Sequence, residues 1–245
     1  MIKKSFVILI LLLSTVSANA QKTGEYILTS TPEEVLGHDA EQFKNIIDAN
    51  ANLSWEVYVP KRYNPDKPAG IMVFAGAPND VRPPRGWYSS IEDKNLIWIA
   101  PRRSGNGSTI QQKTMLAMMA VLQITKRYSI NPDRIYISGE PRIASRAALN
   151  YPNIFKGAIF SSLNYGDNNV WDENADEKIQ NALDNKFVFV SSSKTRIPQT
   201  IGYAYHKFVE AGVRKVEFLL LNSQGRIVVR FDRRRILKAI NMLDQ

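Results

Sequence analysis

What most restricts the fold of this chain is the punctuation after residue 54, where short apolar runs alternate with longer helix-like stretches. The runs are Trp55–Val59, Ile71–Phe74, Leu96–Ala100, Ile135–Ile137, Ala158–Phe160, Phe187–Val190 and Val216–Leu221, each bounded by turn residues. Between most of them lie Ile110–Tyr128, Ile143–Asn150, Ala175–Leu183 and Gln199–Ala211, and Arg233–Leu243 closes the chain as a last helix. Strands alternating with helices predict an α/β architecture, a mainly parallel sheet covered by helices on both faces. Upstream, Pro32 and Glu33 open an amphipathic segment to about Ala49, with Val35, Leu36, Phe43, Ile46 and Ile47 as its apolar positions. Residues 21–31 read as a loose leader. The expected organisation is a signal segment over 1–20, a leader and helix over 21–52, and one α/β domain over 53–245.

The first twenty residues place Lys3 and Lys4 before an apolar run, Phe6–Leu13, and a small-residue site, Ala18-Asn19-Ala20. That is the layout of a secretory signal peptide, and the run is too short to span a bilayer comfortably. The expected mature chain starts at Gln21, is periplasmic or secreted, and carries no transmembrane segment. The sequence has no cysteine. This excludes a disulfide, a thiol nucleophile and a lipid joined through Cys. A domain of this size buries a sufficient core without a disulfide. His38 and His206 are the only histidines and lie far apart, and no zinc spacing, calcium loop or phosphate-binding glycine loop occurs. No metal or cofactor is expected. The formal charge is +9; without Lys3 and Lys4, 30 cations face 23 acids, leaving +7. Such a balance favours anionic surfaces without specifying one.

Three passages carry a resemblance. Trp55-Glu56-Val57-Tyr58-Val59-Pro60, followed by Tyr63-Asn64 and Pro68–Phe74, is similar to the opening of the α/β hydrolases, in their secreted esterase branch related to polyhydroxybutyrate depolymerases. Tyr128–Gly139, with its Asn131-Pro132-Asp133-Arg134-Ile135 run into Gly139, resembles the strand that enters the nucleophile elbow of those enzymes. Ala147–Ala158 resembles the helix and strand that follow it. The resemblance covers roughly 55–163, and the middle passage is its specific part. It implies an α/β-hydrolase-like sheet and a triad carried on three loops.

The residues at those three places lack the chemistry. Active relatives have Gly-x-Ser-x-Gly at the elbow; here the matching residues are Gly139-Glu140-Pro141-Arg142-Ile143. Pro141 has no hydroxyl and no N–H, and its φ is locked near −65°. Ile143 replaces the glycine that lets the helix approach the sheet, so the turn is expected to be rebuilt. After Phe187–Val190 the chain reads Ser191-Ser192-Ser193-Lys194-Thr195-Arg196, with no carboxylate. After Val216–Leu221, Asn222-Ser223-Gln224-Gly225-Arg226 contains no histidine. His206 falls in the helix before that strand and reads as a helix-face residue. Phe74-Ala75-Gly76-Ala77 stands where a His-Gly-Gly type oxyanion run is expected. Ser138, Glu140 and Ser145 are alternative nucleophiles, each without an evident base. The expectation is a pseudoenzyme-like, non-catalytic member of the fold, with a divergent esterase or hydrolase that uses a relocated site as the alternative.

In open parallel sheets, ligands bind beyond the carboxyl ends of the strands. The loops there supply Arg82, Arg85, Arg102, Arg103, Arg142, Lys194, Arg196 and Arg226, against Asp80 and Glu140. Guanidinium forks suit carboxylate and phosphate, so these cations, with Trp87 of the loop passage Arg85-Gly86-Trp87-Tyr88 as an aromatic wall, are the candidate ligand-binding set. A core-edge role for Trp87 is the competing reading. The fitting ligands are a small anion, an acidic glycan or an acidic protein surface. A second basic cluster runs through Arg226, Arg230, Arg233, Arg234, Arg235 and Lys238. It has only Phe231 interleaved, and no nucleic-acid partner is expected from it.

Overall fold

A computed structural model describes residues 21–76, 82–83, 86–104, 107–161, 175–191, 199–220 and 233–245. In chain order the elements are β1 (Gly24–Ser30), α1 (Pro32–Leu36), a 3-10 turn (Gly37–Phe43), β2 (Leu53–Val59), β3 (Ala69–Ala75), α2 (Trp87–Lys94), β4 (Leu96–Pro101), α3 (Ile110–Thr125), β5 (Ile130–Gly139), α4 (Pro141–Asn150), β6 (Gly157–Ser161), α5 (Ala175–Gln180), β7 (Lys186–Ser191), α6 (Gln199–Glu210), β8 (Lys215–Leu220) and α7 (Arg233–Asp244). The strands form one sheet in the order β1-β2-β4-β3-β5-β6-β7-β8. β2 runs antiparallel to both of its neighbours, and every other pair is parallel. The expected mainly parallel, doubly covered sheet is therefore present.

Side-chain alternation along each strand splits the core in two. Trp55, Ile71, Ile99, Ile137, Phe160 and Phe187 face α3, α4 and α6. Met72, Trp98, Tyr136 and Val188 face α2 and α7. α3 is apolar almost all round, with buried residues from Lys113 to Val121, as befits a helix enclosed on several sides. Its start is fixed by Thr109, whose hydroxyl accepts from Gln112 N (3.1 Å) while Gln112 Oε1 accepts from Thr109 N (2.9 Å).

Three expectations need correction. Residues 24–30, expected as a loose leader, form β1, paired with β2 from Gly24↔Val59 to Ser30↔Leu53. Edge pairing by the backbone holds this strand, so it needs little apolar pattern; Ile27 is half exposed. The amphipathic segment expected over 32–49 breaks at Gly37, whose φ of +62° suits glycine alone, and continues as a 3-10 turn. The passage around Gly86-Trp87-Tyr88, expected as loop, opens α2. Its eight residues include two serines and Glu92-Asp93, and only Trp87, Ser90 and Ile91 are buried, too short an apolar stripe to stand out.

The last helix is tied to the sheet by Arg134, the arginine of the Asn-Pro-Asp-Arg-Ile run. Its Nε and one terminal nitrogen donate to the two oxygens of Asp244 at 2.9 and 3.0 Å, and the same nitrogen reaches Lys94 O at 2.9 Å. The Tyr136 hydroxyl lies 2.9 Å from Asp244 Oδ1, and Lys186 Nζ donates to Leu243 O at 2.8 Å. Burial, then the Asp244 carboxylate, hold the Tyr136 hydroxyl above the ordinary tyrosine range. Forked, charge-assisted pairs are the strong kind. Asp244→Ala is expected to lower the unfolding free energy by about 2 kcal/mol, the figure for a partly buried forked pair left without one partner. Urea denaturation measures this; a loss below about 0.5 kcal/mol, the size typical of a surface substitution, would show that the clamp is decorative.

Candidate functional site

The site that this topology offers lies at the carboxyl edge of the parallel strands, and its centre is the turn from β5 into α4. Gly139 ends the strand with φ +120°, and a Cβ there would sit 2.1 Å from the Ala75 carbonyl oxygen of β3. Only glycine fits both the conformation and the space. Glu140 N then donates to the same Ala75 oxygen at 2.6 Å. Glu140 is extended (φ −64°, ψ 122°), and Pro141 is the first residue of α4. The Glu140 carbonyl accepts from Ile143 N and Ala144 N at 3.0 and 2.9 Å, starting the helix. Proline suits this place because its φ is already helical and its missing N–H belongs to an unsatisfied set.

All the strain of the turn is carried by Gly139. Among the described residues, the only non-glycine positions with positive φ are Asn95 and Arg103, so Glu140, Pro141 and Arg142 are unstrained. Ile143 is fully buried against the first core. Pro141 begins α4 and projects no reactive atom.

Among the described residues, the cations Arg142 and Arg102 do not share one centre. Arg142 lies beside the turn, its Nε 3.2 Å from Glu140 Oε1. Arg102 follows β4 and turns the other way, its Nε 3.4 Å from Glu56 Oε2 on β2. That carboxylate is 8% exposed, and the contact is an ion pair without a formed hydrogen bond. β3 separates β4 from β5, which puts roughly 10 Å between their ends at about 4.8 Å per strand. Arg82 is exposed and lies close enough to Tyr88 for its charge to act on that hydroxyl. Arg103 is exposed, with a left-handed φ of +53°. Arg85, Lys194, Arg196 and Arg226 lie outside the described residues.

Trp87 is not on the rim surface. It is 4% exposed and packs edge-on to Trp98 with centroids 5.2 Å apart, in a cluster completed by Phe74. Large rings stabilise such a core by burial, so the core-edge reading fits and the ligand-wall reading does not. Tyr88 beside it donates to Glu25 of β1. Burial, then that hydrogen bond, push its hydroxyl up to about 12.

The alternative nucleophiles are poorly served. Ser138 is 4% exposed and shares the strand face of Tyr136, on the α2 and α7 side and away from α4. Ser145 is buried one turn into α4 and spends its hydroxyl on Arg142 O at 3.3 Å. His206 is exposed on α6, its ring against Tyr205, and His38 is exposed near the N-terminus. Among the described residues, neither histidine hydrogen-bonds a serine or carboxylate, and no group of three or more His, Asp or Glu residues is placed to hold a metal. Ser191, closing β7, is 1% exposed with no partner for its hydroxyl.

No protein-family model and no curated protein matches the sequence. Solved structures do. A protein described as a dipeptidyl aminopeptidase IV from Bacteroides ovatus superposes with a TM-score of 0.63 at 14% identity, over 92% of this chain and 36% of that one. A ferulic acid esterase gives 0.57 at 12% identity, over 91% and 99%. The feruloyl esterase module from Clostridium thermocellum gives 0.55 at 13%, over 90% and 88%. The fold is α/β-hydrolase-like.

At these identities the likeness carries the hydrolase fold and no more. The chain spans about a third of the length of the first of these structures. No described helix is long and apolar enough to cross a membrane. An open depression of about 760 Å³ lies at the opposite edge of the sheet, beyond the C-terminal end of α4, among Asn150, Tyr151, Glu177 and Lys178. Its charges are mixed and it lies far from the turn, so the strand-edge site remains the better candidate.

One residue that the sequence reading passed over is Lys113, 9% exposed in the first turn of α3. Its signal was present: a lysine opening a long apolar stretch at a helix N-terminus, where the dipole disfavours it. The geometry of the turn gives a direct prediction. Gly139→Ala should cost more than about 3 kcal/mol or abolish folding, because both φ and the Ala75 contact forbid a Cβ. A denaturation midpoint within about 1 kcal/mol of the parent would show that the turn has slack.

Proposed function

We propose that this chain is an exported, non-catalytic member of the α/β-hydrolase fold that binds an anionic or glycan-like ligand, or a protein partner, at the carboxyl edge of its sheet. The observation that carries this reading is Pro141. Where the family's elbow presents a nucleophile from a strained backbone, this turn places a proline in relaxed helical conformation and gives the strain to Gly139. The sequence adds that the acid and histidine positions hold neither residue type. Histidine is the usual activating base, and both histidines of this chain are exposed on other elements. Export rests on the signal-like first twenty residues and agrees with a secreted-esterase branch. The positive charge of the chain favours an acidic partner. Trp87 is withdrawn from the binding set, and Arg142 and Arg102 enter it already facing carboxylates.

A second reading, a divergent hydrolase with a relocated site, is favoured by one observation: the similar solved structures carry the names of esterases and peptidases. Within this chain its best residues are Glu140, 12% exposed at the heart of the turn, and Ser191 with its unpartnered hydroxyl.

Hydrolysis of short p-nitrophenyl esters by the purified mature chain separates the two. The assay runs beside a variant carrying Ser138→Ala, Glu140→Ala, Ser145→Ala and His206→Ala, and another carrying Ser191→Ala. The expected result is no turnover above background in any of them. Turnover in the parent that either variant loses would replace the first reading with the second.

A further inference from the structure

β8 ends the sheet, and among the described residues no strand pairs with its outer side. An edge of this kind presents unpaired N–H and C=O groups that another strand can join. Its side chains alternate between the two faces. Val216, Phe218 and Leu220 lie on the face of α6; the first two pack against the first core, and Leu220 is 37% exposed. Phe218 meets Tyr205 of α6 edge-on, with centroids 5.4 Å apart. One turn further along the same side of that helix, Val209 is 47% exposed. Helix and strand together leave an apolar seam along the edge.

The other face of β8 carries charge. Lys215 and Glu217 are exposed there, on the side of Leu219 and the second core. Their own chain serves neither. Lys215 lies beside Lys186 in the parallel pairing of β7 with β8, and Glu217 lies beside Val188. Among the described residues neither makes an ion pair. Like charges at facing positions of a sheet repel; burial first, and then the Lys215 charge, hold the Lys186 ammonium below the ordinary lysine range. Opposite charges two residues apart on an edge strand are self-complementary. When β8 runs antiparallel to its own copy about a two-fold axis at Val216, perpendicular to the sheet, Lys215 stands opposite the partner's Glu217 and Glu217 opposite the partner's Lys215. Facing side chains in such a pair have Cβ atoms about 5 Å apart, within ion-pair reach. An axis at Glu217 would oppose two carboxylates, so charge selects the axis at Val216.

We infer that β8 is a homodimer interface, at which two copies of this chain join their edge strands antiparallel into one continuous sheet. The occupant is a second copy because the charge pattern matches itself, and a two-fold contact uses the same patch on both subunits. Both α6 helices then fall on one face of the joined sheet, with Val209 and Leu220 of each copy beside the seam. On the other face α7 packs chiefly on β6 and β7, which leaves the strip over β8 to the two ion pairs. Antiparallel joining points the two carboxyl edges in opposite directions. Each candidate binding edge stays open, and the interface does not depend on what that edge binds.

Sedimentation equilibrium of the mature chain reads the association directly. The parent is expected to approach twice the monomer mass as its concentration rises. Glu217→Lys and Lys215→Glu each turn both attractive pairs into like-charge pairs, and each should weaken the dimer about tenfold. The double variant, Lys215→Glu with Glu217→Lys, exchanges the charges across the axis and should return to parental association. Both positions are exposed, so the variants are expected to fold, and circular dichroism checks that they do. If one single variant does not fold, the other single variant and the double variant decide the question. A parent that stays monomeric at every concentration overturns the inference, and so does a dimer that the folded single variants leave unweakened. A double variant as weak as the single ones overturns it as well, because the exchange restores association only if Lys215 faces the partner's Glu217.

Discussion

The approach of Gly139 to the Ala75 carbonyl is the contact on which the functional edge of this protein depends. β3 and β5 are neighbours, and the chain must leave β5 and enter α4 directly over the end of β3. A Cβ would lie 2.1 Å from the Ala75 oxygen, so the strand can turn there only as glycine. The Glu140 N–H then bonds that same oxygen, which orients Glu140 and lets its carbonyl start the helix. From this one fixed point follow the direction of α4, its packing on α3, and the level at which both first turns reach solvent. An elbow built for nucleophilic chemistry stores strain at the reactive residue. Here the strain sits two residues earlier, at Gly139, and the position matched to the reactive residue is proline. The turn keeps its architectural duty, and its proline offers no reactive atom.

The opposite edge of the same strand shows a matching division of labour. Arg134 and Tyr136 of β5 hold the end of α7 through Asp244 and Leu243. A strand that begins by clamping the last helix and ends by turning into α4 links the second core to the first. This gives the Asn-Pro-Asp-Arg-Ile run a physical reason: its arginine is a structural clamp, independent of catalysis.

The sheet was legible because seven of its strands are near-continuous apolar runs, the mark of strands buried on both faces. β1 was not, since it is held by backbone pairing to β2 and carries an exposed Ile27 and polar neighbours. α2 escaped because three buried residues in eight make too short a stripe. At the site, sequence exposed a proline at position 141, whose geometry is intrinsic to the residue. It could not sort the arginines. Whether Arg102 turns to Glu56 or joins Arg142 depends on which strand lies next to β4, and that is a property of topology. Trp87 shows the same limit, for an aromatic at the start of a short helix reads alike whether it faces a ligand or Trp98.

The central claim is that no residue at the carboxyl edge acts as an activated nucleophile. Its most direct test is the intact mass of the mature chain after incubation with a fluorophosphonate ester probe, which modifies activated serines covalently and leaves ordinary hydroxyls untouched. The account predicts an unchanged mass after prolonged exposure. A stoichiometric adduct, mapped to a serine such as Ser191 or Ser145, would contradict it and reveal a working hydrolase whose site has moved.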